Sequence, residues 1–166
     1  AWRSPCGACP LCAHGESQFC PNAVVSRPRV RLSDGTVLGR VLGLGAFATH
    51  TVVTAAQAIP MNPHLDPACT CLIGCAVGTG VGSVLNVAEV PAGSSVAVFG
   101  CGAVGVSVIQ GAKLAHASKV IGVDLSPQKL QWAKLFGATD IVNAGEGDPV
   151  ARIRELTGGR GVDFAF

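Results

Sequence analysis

The sequence predicts an α/β chain: a doubly wound parallel sheet preceded by a smaller β-rich part that carries a knot of cysteines. Three observations predict it. From about residue 66 onward, short continuous apolar runs alternate with helical periodicity, as buried parallel strands covered on both faces require. Before that point the chain is irregular and proline-bearing, with four cysteines packed into "CGACPLCAHGESQFC". Between the two textures no repeat or low-complexity segment intervenes, so the division is expected near residue 64, giving parts 1–64 and 65–166.

Taken in order, the first part offers a hairpin in "VRLSDGTVLGRV", where Asp34-Gly35 interrupts alternating apolar residues. "FATHTVV", Phe47 to Val53, reads as a further strand. Asp66 and Pro67 then form a helix N-cap and first-turn proline, and Val77, Val81, Val84, Leu85 and Ala88 recur at helical spacing. Residues 67–88 carry no charge. A run of about 20 apolar residues could cross a bilayer. However, Gly74, Gly78, Gly80 and Gly82, with Thr70, Thr79, Ser83 and Asn86, make this run loose and polar, so a buried pair of helices is expected.

The sheet elements follow. "SVAVFG" is a short β-branched strand, and Val104, Val108, Ala112 and Ala115 mark the helix after it. "KVIGVD" is a second strand, Ser126-Pro127 caps a helix that stops at Gly137, and "DIVNA" is a third strand. Asp148-Pro149 starts a helix that ends at Gly158-Gly159, and "VDFAF" is a fourth strand. A doubly wound dinucleotide fold commonly has six strands, so a partial sheet is expected. Apolar residues make up 49% of the chain and charged residues 13%, and the twelve Lys and Arg are scattered, with net charge +2. A nucleic-acid partner needs a clustered basic face, which this sequence lacks.

Gly100, Gly102 and Gly105 stand in G-x-G-x-x-G spacing, closing a strand and opening a helix within a βαβ unit. The first glycine permits a tight turn, the second lets backbone N–H groups approach a pyrophosphate, and the third lets helix pack on strand. An acid about 20 residues further on binds the ribose, and Asp124 stands 19 positions after Gly105. Its carboxylate would accept ribose hydroxyls and repel a 2′-phosphate, favouring NAD over NADP. Lys129 could reach the same ribose. The competing reading is a ligand-free tight turn with an ordinary strand-end carboxylate.

The cysteine spacing is Cys6-x2-Cys9-x2-Cys12-x7-Cys20. Disulfides, an iron–sulfur cluster and a zinc lobe are the candidates. A NAD-binding chain belongs in the cytoplasm, where thiols stay reduced. Ferredoxin-type clusters use two x2 gaps and then x3, from which the x7 gap departs. Zinc asks only for tetrahedral sulfur, and four sulfurs leave it no vacancy, so a structural zinc is favoured.

A four-cysteine lobe ahead of a NAD fold resembles the zinc-dependent medium-chain alcohol dehydrogenases. "CGACPLCAHGESQFC" is similar to that family's structural-zinc lobe, and "LIGCAVGTGVGSVLNVAEVPAGSSVAVFGCGAVG" to its stretch leading into the nucleotide loop. The resemblance implies a partial GroES-like catalytic domain over 1–64 and a partial Rossmann domain over 65–166. It gives Cys75 a role as ligand of a second, catalytic zinc, and leaves Cys69, Cys71 and Cys101 as buried free thiols. It puts Thr79 and Val104 at the nicotinamide end, with Gly100, Gly102, Ala103, Gly105, Asp124 and Lys129 along the cofactor. Trp2, Val41, Leu42 and Phe47 fall in or near segments that line the substrate cleft. The implied reaction is reversible hydride transfer between a primary alcohol, or a hydroxymethyl-thiol adduct, and NAD, with zinc as Lewis acid. The family's remaining catalytic ligands and proton relay match none of His14, His50, His64 or His116, so the 166 residues alone are expected to bind structural zinc without turning over alcohol.

Within the family, "AWRSPCGACPLC" and "LGAFATHTVV" look most like the actinobacterial mycothiol-linked formaldehyde and alcohol dehydrogenases. Glutathione-dependent relatives carry an arginine soon after the fourth zinc cysteine, where this chain has Pro21, Asn22, Ala23, Val24 and Val25. Kinship also implies a cytoplasmic homodimer or homotetramer with neither membrane nor nucleic-acid partner. The reading from a different class is a non-catalytic zinc- and NAD-binding sensor or scaffold, which would have no use for Cys75.

Overall fold

The computed structural model describes residues 3–24, 30–39 and 44–166. The chain divides into two compact units, Ala1–His64 and Leu65–Phe166. In the first, an antiparallel bridge between Ser4 and Val24 closes a loop around the cysteines, with N–H···O bonds of 3.0 and 2.8 Å. Inside that loop lie helix α1 (Pro10–Ala13), with proline in its first turn, and a 3₁₀ turn at Ser17–Phe19.

The expected hairpin is present. Strands β1 (Val30–Arg31) and β2 (Val37–Leu38) pair antiparallel. Gly35 donates its N–H to Leu32 O and takes φ +88°, the left-handed position that glycine fills at no steric cost. Asp34 Oδ1 accepts the Thr36 N–H at 2.8 Å and rigidifies the turn.

Phe47 to Val53 is not a strand. Strand propensity pays off only when a ladder partner takes up the backbone groups, and among the described residues none pairs with this segment. It runs instead as irregular chain in which the Thr51 hydroxyl donates to Leu44 O. A capping box between Thr54 and Gln57 then sets a 3₁₀ turn at Ala55–Gln57.

In the second unit, Asp66 accepts the Ala68 N–H at 2.8 Å and starts α2 (Pro67–Thr70). The expected pair of buried helices is instead one helical span, Pro67–Val87. It continues through a π turn at Ile73–Val77, helix α3 (Gly78–Gly82) and a second π turn at Ser83–Val87. By length and composition the span could cross a membrane, and most of its surface is uncovered in this structure. One of its glycines, Gly80, packs closely on the helix that follows the next strand, as described below. Cys69 and Cys71, expected as buried thiols, are exposed on this uncovered surface.

Strands β3 (Ser95–Phe99), β4 (Lys119–Asp124), β5 (Asp140–Asn143) and β6 (Phe164–Ala165) form one parallel sheet in the order β5-β4-β3-β6. Helices α4 (Ala103–Leu114), α5 (Pro127–Phe136) and α6 (Pro149–Leu156) connect them. Side chains alternate across the sheet. Val96, Val98 and Val120 pack with Val108, Ile109, Ala112, Leu130 and Ala133 of α4 and α5, whereas Ala97, Ile121, Val123 and Val142 pack with Ile153 of α6. The first strand sits inside the sheet with its neighbours wound in opposite directions, so the switch point falls at the carboxyl ends of β3 and β6. The glycine loop leaves β3 at that end.

Strand β6 is pinned to β3 by a side chain. Asp163 Oδ2 accepts both the N–H and the hydroxyl of Ser95, each at 2.7 Å. The Ser95 N–H, then its hydroxyl, hold the Asp163 carboxyl below the usual carboxylate range, and Arg160 adds to this. A depressed folded-state pKa contributes stability that is present above the unfolded value and lost as pH falls through the folded one. Asp163→Asn therefore lowers the melting temperature at neutral pH, and the gap from wild type closes in acid, below the depressed folded-state value, where wild type is protonated as well. Thermal melts of both proteins at the two pH values check this; a gap that persists in acid refutes the carboxylate clamp.

Candidate metal centre and nucleotide loop

The loop closed by Ser4 and Val24 gathers Cys6, Cys9, Cys12 and Cys20 so that all four Sγ atoms lie within 4.8 Å of one another. Local chain geometry does this. The x2 gap from Cys9 to Cys12 spans the first turn of α1, for which Cys9 is the N-cap. Gly7 (φ +74°) and Gly15 (φ +83°) turn the chain on either side of that helix. Arg3 Nη2 donates to Cys20 O at 3.0 Å, and the Cys6 N–H donates to Cys20 Sγ at 3.4 Å. Cys9 and Cys20 are buried.

The sulfur separations discriminate between the three candidate chemistries. Cys9 Sγ lies 3.5 Å from Cys12 Sγ and 3.8 Å from Cys20 Sγ. A tetrahedral ion with metal–sulfur bonds of about 2.3 Å sets its ligands about 3.8 Å apart. A disulfide requires about 2.05 Å, and all eight cysteines are free. A multi-iron cluster would occupy the centre with several metal atoms, whereas this cage has room for one.

Charge points the same way. The backbone N–H groups of Ala8, then Cys9, with the Cys20 thiol, lower the Cys6 pKa to about 6. Loss of solvent, then the Cys9 thiol, pushes Cys12 up to about 12. Neighbouring acids that cannot all ionise titrate apart in this manner. A divalent cation at the centre removes the conflict and lets all four become thiolates. The donor set fits a structural zinc ion. His14, by contrast, faces away from ligation, with Nδ1 2.8 Å from Pro10 O.

In the second unit the glycine loop is built by close approach. Gly100 takes φ +90° and donates its N–H to Val123 O at 2.7 Å. A Cβ on Gly105 would lie 1.9 Å from Gly100 O, so only glycine lets α4 start this near the strand. A Cβ on Gly102 would meet nothing in the chain. That open space, at the N-terminus of a twelve-residue helix, is what a pyrophosphate fills when backbone approaches it. The loop and helix therefore fit a dinucleotide.

Asp124 ends β4 and faces this loop. Its Oδ2 accepts the Cys101 N–H at 2.8 Å and its Oδ1 accepts the Ser126 N–H at 2.9 Å. Lys129 Nζ stands 4.0 Å from Oδ2. Burial raises the Asp124 pKa, but the Ser126 and Cys101 N–H groups and Lys129 outweigh it and hold the carboxyl below its ordinary value. The carboxylate stays ionised, with more lone-pair sites than its two backbone N–H partners use. Sequence periodicity gave no sign of this latch. The Ser126 side chain makes no capping bond, so the polar contact at the start of α5 comes from Asp124. Cys101 is buried, as expected, and burial, then the Asp124 charge, pushes its thiol pKa up.

The span carrying Cys75 and Thr79 docks on α4. A Cβ on Gly80 would lie 2.4 Å from Ser107 Cβ, 2.6 Å from Val104 O and 2.8 Å from Val108 N. Cys75 lies in the first π turn and is exposed, as are Thr79 and Val104. Cys75 belongs to no cluster of three metal-binding side chains among the described residues. Phe47 is fully exposed, and Trp2, Val41 and Leu42 lie outside the described residues. A cavity of about 500 Å³ opens beside β5 and α6, lined by Asn143, Asp148 and Arg152 among others, and shares no lining residue with the glycine loop.

Residues 103–166 match the family model for zinc-binding dehydrogenases. S-(hydroxymethyl)glutathione dehydrogenase of Saccharomyces cerevisiae is 37% identical, with 99% of this chain and 46% of that protein covered. Alcohol dehydrogenase-like 6 of Arabidopsis thaliana is 38% identical, with 97% and 45% covered. Among solved structures, benzyl alcohol dehydrogenase of Acinetobacter calcoaceticus superposes with a TM-score of 0.77 at 32% identity, covering 97% of this chain and 45% of that one. The chain thus spans about half the length of the curated relatives it matches. Fold, sulfur cage and nucleotide loop fit the class of zinc- and dinucleotide-binding dehydrogenases. The chain belongs to the zinc-dependent medium-chain alcohol dehydrogenase family.

Replacing the buried Cys20 tests the cage. Cys20→Ser removes about one metal ion per chain, read by plasma mass spectrometry, and exposes residues 3–24 to limited proteolysis. Full metal content in this variant would rule out a four-sulfur site.

Proposed function

We propose that the protein is a zinc-dependent NAD alcohol dehydrogenase. It catalyses reversible hydride transfer between NAD and a primary alcohol or hydroxymethyl-thiol adduct. The observation that carries this reading is the pairing of a glycine loop open at Gly102 with an ionised Asp124 beside it, in a chain that also holds a four-sulfur cage. The Cys6, Cys9, Cys12 and Cys20 thiolates would hold the structural zinc, and Cys75 is assigned as a ligand of the catalytic one. Bound zinc supplies Lewis acidity toward the alcohol oxygen, and NAD supplies the hydride acceptor.

The chain's own residues bind and orient. The backbone N–H groups of Gly102, Ala103 and Val104 open α4 and face the pyrophosphate. Asp124, with Lys129 beside it, takes the adenosine ribose and repels a 2′-phosphate. Thr79 and Val104, both exposed, would contact the nicotinamide end of the cofactor. The π turn around Cys75 supports its assignment, since such turns are frequent at functional sites.

For the substrate, relatives named S-(hydroxymethyl)glutathione dehydrogenase favour a hydroxymethyl-thiol adduct over a bulky alcohol. The absence of an arginine among residues 21–25 favours a thiol other than glutathione, and the resemblance of "AWRSPCGACPLC" and "LGAFATHTVV" to the mycothiol-linked enzymes supports a mycothiol adduct beside simple alcohols. A reducing, cytoplasmic setting is supported by the eight free cysteines. A homodimer or homotetramer is the assembly we assign by kinship.

Steady-state assays of the holoenzyme with NAD and NADP, across simple alcohols, S-hydroxymethylglutathione and S-hydroxymethylmycothiol, test the reading. NAD-dependent turnover with about two zinc ions per chain is expected. Tight NAD binding with one zinc ion and no turnover would instead make the protein a sensor or scaffold. Two glycines separate ligand space from packing space. Gly102→Val keeps the melting temperature of wild type but weakens NAD binding at least tenfold, whereas Gly105→Ala lowers the melting temperature first. Calorimetric titration and thermal melts distinguish them; unchanged NAD affinity in Gly102→Val contradicts the loop assignment.

A further inference from the structure

We infer that Gly80 is a positioning residue: its contact with the first turns of α4 fixes the distance between the Cys75–Thr79 segment and the nucleotide loop. The inference rests on the reading of that loop as the NAD site and of Cys75 and Thr79 as flanking the nicotinamide.

The first turns of α4 are clamped between two glycines. On one side Gly105 lies against Gly100 O, the strand-to-helix turn itself. On the other side Gly80 meets Ser107 Cβ, Val104 O and Val108 N at 2.4, 2.6 and 2.8 Å from where its Cβ would be. Two of these three atoms are backbone, so no rotamer change relieves an added methyl group. The two helices would have to separate, by about 1 Å to reach ordinary contact distance. Thr79 is the neighbour of Gly80, and Cys75 precedes Thr79 by four residues, about one helical turn. A displacement at Gly80 is therefore delivered to both residues. A misplacement of about 1 Å at a reacting centre can cost about 100-fold in rate.

The remaining glycines of the span set the controls. A Cβ on Gly82 would meet only Asn86 Nδ2, at 3.9 Å. Further along the same crossing, a Cβ on Gly111 of α4 would meet Val81 Cα at 3.1 Å and Val84 Cβ at 3.2 Å, a milder conflict. The contact thus tightens toward the nucleotide loop, where Gly80 lies.

The test uses the holoenzyme and reads the rate at which iodoacetate alkylates Cys75, followed by peptide mass mapping, with and without saturating NAD. In wild type and Gly82→Ala, NAD slows alkylation at least tenfold. In Gly80→Ala the shielding shrinks to less than twofold at saturating NAD, while kcat falls about 100-fold and zinc content is unchanged. Should Gly80→Ala fail to fold, Gly111→Ala decides, with shielding reduced to an intermediate value. A folded Gly80→Ala or, in its place, Gly111→Ala protein with full shielding overturns the inference and leaves the nucleotide reading intact. So does equal loss in Gly82→Ala, which would mark a general sensitivity of the helix. No shielding in wild type would defeat the reading of Cys75 and Thr79, and this inference with it.

Discussion

Close approach at three glycines, two of them against backbone atoms, is the constraint on which the nucleotide half depends. Gly105 lets α4 begin against the carbonyl of Gly100, Gly80 lets the long apolar span lie on α4, and Gly122 lets β4 pass beneath Ala133 and Cys101. A Cβ at any of them would lie within 3.0 Å of a neighbouring atom. Interiors packed as densely as organic crystals do not absorb such an intrusion locally. The valines and isoleucines of β3 and β4 supply the driving force for burial, but they do not determine distances this short. The glycines do, and so they define where the phosphate-facing N–H groups end up.

The cysteine lobe solves a different problem. Residues 3–24 contribute Cys9 and Cys20 as their buried apolar side chains, and α1 is a single turn of four residues with none of its own buried. So little apolar burial cannot offset the entropy of ordering twenty residues. Four thiolates around one cation would substitute for a core, because metal–sulfur bonding is much stronger per residue than burial and is lost in the unfolded chain. The Ser4–Val24 bridge and the Arg3 bond to Cys20 O close the neck, so that the cage, once loaded, holds both ends of the loop.

Sequence patterning made the sheet legible because its signals are local. A β-branched run such as Ser95–Phe99 and a Ser-Pro or Asp-Pro helix start each carry their own physics within six residues. The hairpin at Asp34-Gly35 was legible for the same reason: the left-handed residue and the turn that needs it are adjacent. Phe47–Val53 failed because a strand is a property of two segments, and alternation in one says nothing about the other. The long span failed because its glycines were read only as looseness, whereas Gly80 is a contact surface whose partner lies about 25 residues away in α4. Of the candidate site, residue types and spacing gave the four sulfurs and the three loop glycines. The latch from Asp124 to the Cys101 and Ser126 N–H groups was hidden, since no periodicity marks a hydrogen bond between two loops.

That latch ties cofactor choice to loop geometry. An acid placed only to recognise a ribose could be exchanged for a neutral residue to admit a 2′-phosphate, with no further consequence. Asp124 is also the acceptor that holds the Cys101 N–H, the residue between the first two glycines of the loop. Removing the carboxylate would orphan a backbone donor in a tightly packed turn and free the segment leading into α5. In the proposed reading, recognition of the ribose and the shape of the pyrophosphate cradle would therefore share one side chain, which already holds the Cys101 N–H. A change of cofactor preference in this chain would need a new acceptor for Cys101 as well as a new partner for the phosphate.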